Sequence, residues 1–67
     1  MKIKEAFHFM PRNFTIEMLR AKLEQQTHAK INLETLRRDM RRKRHELRYV
    51  VVIDGEKTYY QKKEHNE

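Results

Sequence analysis

Six of the sixteen Lys and Arg residues of this 67-residue chain fall between Arg37 and Arg44. They are Arg37, Arg38, Arg41, Arg42, Lys43 and Arg44, broken only by Asp39 and Met40. Guanidinium groups repeated along one element suit a polyanion, because each planar fork can donate two parallel hydrogen bonds to a phosphate or a base edge. A net charge of +6 and a pI near 9.9 point the same way. Charge kept for solubility alone would be spread more evenly. For catalysis the chain offers no paired carboxylates at cleft spacing, no glycine-rich phosphate loop and no nucleophile beside a base. No enzyme activity is expected. His8, His28, His45 and His65 are scattered and there is no cysteine, so neither a metal nor another cofactor is expected.

Apolar spacing gives the elements that must position those cations. Ile3, Ala6, Phe7 and Met10 recur as one helical face and predict a helix from Ile3 to Met10, ended by Pro11. A second helix begins at Thr15, which can cap it while Phe14 packs on Leu19, and it ends near Thr27. Its inner stripe is Ile16, Leu19 and Leu23. Met18, and Phe9 on the first helix, lie off the inner stripes and suit either partial burial or an apolar dimer patch. Asn32 caps a third helix, with Ile31 stapled onto Leu36, expected to run from Leu33 to Leu47. Leu33, Leu36, Met40 and Leu47 fall within about 60° of one another around its axis. Opposite them lie Glu34, Thr35, Arg38, Arg42 and His45, with Arg41 on the flank.

Beyond Leu47 the period changes. Tyr49-Val50-Val51-Val52-Ile53 and Thr58-Tyr59-Tyr60 read as strands, with Asp54-Gly55 as a two-residue type I′ loop. That loop would pair Val50 with Tyr59 and Tyr49 with Tyr60. A short strand around Arg12-Asn13-Phe14 can add a third. The expected fold is therefore α+β, a three-helix bundle with a C-terminal β-hairpin. Residues 1–63 would form one domain and 64–67 a disordered tail. This order is the winged helix-turn-helix plan. With no apolar run near the length of a membrane span and no signal-peptide pattern, a cytoplasmic, nucleoid-associated protein is expected.

The stretch Ile31-Asn32-Leu33-Glu34-Thr35-Leu36-Arg37-Arg38-Asp39-Met40 resembles the recognition-helix signature of the DeoR family of bacterial repressors. In that family a Val-Ser opening is followed by Thr-Ile-Arg-Arg-Asp-Leu. Thr35 to Met40 fits the run with conservative apolar changes, and Asn32 stands for the capping serine. The resemblance implies the fold and contact with DNA. From Leu23 to Ile31 the chain is longer than that family's tight turn and looks more like the helix-turn-helix heads of some transposases. The chain has no room for the family's sugar-phosphate-sensing domain, so no small-molecule effector is expected.

Roles follow from position. Thr35 and Arg38 lie near the helix N-terminus, the part that reaches base edges in the major groove. An Arg bridging guanine O6 and N7 supplies roughly 1–3 kcal/mol of discrimination. Arg37, Arg41, Arg42 and Arg44 suit phosphate contacts, and His45 adds charge at lower pH. Lys57, with Lys62 and Lys63, lets the hairpin reach an adjacent phosphate or minor groove. The function expected is sequence-specific binding of double-stranded DNA, as a small transcriptional regulator or excisionase-like architectural factor of phage or mobile-element type. Further partners would be a second copy, or a host or phage protein. The alternatives are a protein-binding adaptor or inhibitor using the same basic helix, or an RNA-binding module with Tyr49, Tyr59 and Tyr60 as a stacking platform.

Overall fold

The computed structural model describes residues 3–63. The chain runs α1 (Ile3–Phe9), β1 (Asn13–Phe14), α2 (Ile16–Thr27), α3 (Leu33–Arg42), α4 (Arg44–Leu47), β2 (Tyr49–Asp54) and β3 (Lys57–Lys62). The three strands form an antiparallel sheet in the order β1-β3-β2, so the last strand is its centre. The α+β class, the C-terminal hairpin and the short third strand are as expected. The expected tail at 64–67 lies outside the described residues.

Local chemistry sets the helix ends. Pro11 follows α1, whose last turn is closed by the Met10 amide donating to the Phe7 carbonyl at 3.1 Å. The Thr15 hydroxyl accepts the Met18 amide at 3.3 Å and caps α2. At the far end His28 adopts a left-handed conformation (φ 57°) and its amide bonds the Glu24 carbonyl at 2.8 Å. The Glu24 carboxylate then accepts the Ile31 amide at 2.9 Å, which closes the turn between α2 and α3. Asn32 caps α3 through Oδ1, which accepts the amides of Glu34 at 2.8 Å and Thr35 at 3.1 Å.

The expected single helix from Leu33 to Leu47 is instead two, α3 and α4, broken at Lys43. The expected three helices become four among the described residues. Neither Gly nor Pro lies at the break. At the break the buried Tyr49 hydroxyl donates to the Met40 carbonyl at 2.8 Å. In an unbroken helix that oxygen would take the Arg44 amide. Here it also receives the Lys43 amide at 3.2 Å, an i to i+3 bond that tightens the turn. Arg48, left-handed at φ 56°, then turns the chain from α4 into β2.

The hairpin loop is Gly55-Glu56, not Asp54-Gly55. Asp54 pairs with Lys57, Val51 with Tyr60 and Val52 with Tyr59. Gly55 has φ 63°, whereas Glu56 is not among the residues with positive φ. A positive φ at the first central position alone marks a II′-type loop, which Gly there permits. The pairing thus moves by two residues from the expected register. An even shift preserves the faces, so Tyr49 and Tyr60 still share a side.

That side meets the helices. Ile3, Ala6, Phe7, Phe14, Ile16, Leu19, Leu23, Leu36, Met40, Leu47 and Tyr49 form the buried core, with Met10, Ile31, Leu33 and Tyr60 packed on it. Four rings close a cycle at its centre. Phe7 meets Phe14 at 5.5 Å, Phe14 meets Tyr60 at 5.6 Å, Tyr60 meets Tyr49 at 5.0 Å and Tyr49 meets Phe7 at 6.2 Å. Two of these contacts are edge-on, the geometry that ring quadrupoles favour. The cycle joins α1 to all three strands.

Candidate nucleic-acid interface

One side of α3 is fixed by the core, where Leu36 and Met40 are fully buried. The other side is left to solvent. Arg37, Arg38, Arg41 and Arg42 on α3, and Arg44 and His45 on α4, are all exposed. Thr35, expected to reach a base edge, is half-buried in the first turn, where its amide is held by Asn32. Lys57 is exposed at the start of β3.

The hairpin divides the cations into two groups. Arg37, Arg41 and Arg44 line a groove of about 450 Å³ with Tyr49, Val50, Val51 and Tyr60, between the helices and the hairpin. Arg37 also lines a second cavity of about 610 Å³, which it shares with Lys57 and the N-terminal turn of α2. Arg37 and Lys57, twenty positions apart in sequence, therefore border one space. Arg44 and His45 line a third, of about 550 Å³, with Arg48, Tyr49 and Lys63. Arg38 and Arg42 lie outside these three spaces and face open solvent.

Electrostatics report the same grouping. Burial pushes the Tyr60 hydroxyl above its ordinary pKa, and Arg37 and then Arg41 oppose the rise. Burial, then the charge of Tyr60, raises Tyr49, with Arg44 and Arg41 opposing. The arginines on this side thus lie within electrostatic reach of the rings beneath them.

Lys62 has a different role from the one expected. Its ammonium donates to the His8 carbonyl at 3.1 Å and sits 5.2 Å from the Phe7 ring centroid, so it ties β3 to α1. Burial lowers its pKa. Arg48 and Lys63, by contrast, join the cationic surface through the third cavity. Arg48 gave no signal in the sequence, because its placement depends on a left-handed turn made without Gly or Asn. Phe9 stays exposed, with the Lys22 ammonium 5.0 Å above its ring, and Met18 is exposed too. No helix among the described residues is long and apolar enough to cross a membrane.

No family model matches this sequence, and no curated protein or solved structure matches the chain.

Proposed function

We propose that this is a winged helix-turn-helix protein that binds double-stranded DNA, with α2 and α3 as the helix-turn-helix and β2–β3 as the wing. The observation that carries the reading is the two-sided α3. Its apolar side is locked into the core, while four arginines project from the other, and α4 adds Arg44 and His45. Arg38, on the open side and nearest the N-terminus, suits a base edge, with Arg42 one turn behind it. Arg37, Arg41 and Arg44 suit the sugar-phosphate strand between helix and wing, and Lys57 suits a phosphate beyond it. Chemistry of this kind serves a small transcriptional regulator or an architectural factor.

The test is a titration against random and selected duplexes at two salt concentrations. Phosphate contacts release counterions, so log K should fall linearly with log salt, by about 0.9 per phosphate neutralised. Arg41→Ala should lower that slope by about 1 and weaken all sequences alike. Arg38→Ala with Arg42→Ala should abolish sequence preference while leaving the circular-dichroism spectrum unchanged. Failure to bind duplex DNA even at low salt would end this reading.

A second reading has an observation of its own. In the 450 Å³ groove three arginines stand over Tyr49, Val50, Val51 and Tyr60, so an acidic amphipathic protein segment would also fit. Absence of DNA binding would favour it. An RNA-stacking platform is less well supported, since Tyr49 is buried and Tyr60 is packed on the core.

A further inference from the structure

The two edges of the sheet differ. β1, at one edge, is two residues long and offers little to pair with. β2, at the other, is six residues long, and its Tyr49–Ile53 run carries no charge and no proline. Exposed edges are normally guarded by charge, proline, bulges or shortness. Along Tyr49–Ile53 charge and proline are absent. Val51, Val52 and Ile53 are instead 53%, 37% and 74% exposed.

The main chain of that edge is set for a partner. Asp54 pairs with Lys57 across a two-residue loop, and the Lys63 amide donates to the Arg48 carbonyl at 3.1 Å. Hydrogen-bonded pairs alternate along an antiparallel ladder, so the even residues from 48 to 54 turn their amides and carbonyls toward β3. Tyr49, Val51 and Ile53 turn theirs to the open edge.

We infer that the β2 edge pairs antiparallel with the β2 edge of a second copy, about a two-fold axis through Val51. The sequence is self-complementary in that register. Val51 faces its own mate, Tyr49 faces Ile53 and Val50 faces Val52. Val51 with its mate, and Tyr49 with Ile53 on either side of it, are the pairs whose main-chain groups point outward. Arg48 of one copy falls beside Asp54 of the other, so the apolar run ends in opposite charges on both sides. The acidic turn of Asp54 and Glu56 is also brought to the start of the other β2, where Arg44, His45, Arg48 and Lys63 line the 550 Å³ cavity. Six residues of strand cover less than the roughly 800 Å² per partner of a standard interface, which makes the dimer a concentration-dependent one. The inference does not depend on the DNA reading, because it concerns the free protein.

The chain has no cysteine, so single cysteines report the register cleanly. Paired Val51 positions place their Cα atoms about 5.5 Å apart, within the range a disulfide spans. The two Ile53 positions would be about 14 Å apart. Under mild oxidation V51C should cross-link at least about tenfold faster than I53C, although Ile53 is the more exposed residue. Sedimentation of the unmodified chain should show a rise toward twice its 8.4 kDa with concentration. V51K should stay monomeric with an unchanged circular-dichroism spectrum. A monomer at millimolar concentration, or I53C cross-linking as fast as V51C, would overturn the inference.

Discussion

The hairpin has a base and an outer half built from the same kinds of residue, with opposite fates. At the base, Tyr49 is buried and Tyr60 is packed beside it, in the ring cycle with Phe7 and Phe14. Two residues further on, Val51 and then Ile53 stand in solvent on that same face. β-Branched and aromatic types select a strand, but a strand buries only what another element covers. The helices reach across the base and stop. Stability therefore resides at the base, and the outer half is surface available for contacts.

The largest expected effect tests the base. Phe14→Ala removes a fully buried ring that touches both Phe7 and Tyr60, and should cost about 3–5 kcal/mol in denaturant unfolding. Tyr49→Phe keeps the ring and deletes the bond to the Met40 carbonyl, and should cost about 1–2 kcal/mol. Alkali probes the same pair of tyrosines. Both have folded pKa values raised chiefly by burial, so their contribution is intact below the unfolded value of about 10 and is lost as pH rises through the folded values. The urea midpoint should show no loss from these groups until about pH 10 and fall above it, less so in the Tyr49→Phe protein. Asn32→Ala should cost about 1 kcal/mol, and Asn32→Gly a few tenths, since glycine is itself a fair N-cap. Smallest of all, Ile53→Thr in dilute protein should change stability by no more than about 0.5 kcal/mol. A loss there comparable to that of Phe14→Ala would erase the distinction between base and outer half.

Features that depend on nearby residues were legible in the sequence. Thr15 and Asn32 cap where a short polar side chain precedes an apolar stripe, and Pro11 follows α1; the stripes of α1 and α2 are the buried residues, except Met10, which is half-buried and lies past the end of α1 at Phe9. The break at Lys43 is not legible, because the carbonyl before it is bonded by a hydroxyl on the next element. The loop was misplaced because Asp54-Gly55 and Gly55-Glu56 both put a glycine where φ must be positive. Only the pairing across the whole ladder distinguishes them. The spacing picks out the residues of the cationic surface, which are exposed apart from Thr35 and Lys62. Its division into Arg38 and Arg42 on one side and Arg37, Arg41 and Arg44 on the other depends on where the hairpin lies. Helical spacing carries no information about that. Nothing in helical spacing marks Glu24, whose carboxylate braces the turn before α3.

The bond from Tyr49 to Met40 means that the cationic element is divided where a residue from outside it bonds its main chain. Residues 31–48 contain no glycine or proline to interrupt them. In the intact chain a phenol from the strand holds the carbonyl at the bend. Arg37 precedes that carbonyl, and Arg41, Arg44 and His45 follow it. The two halves of the cationic surface therefore meet where the strand bonds the helical main chain.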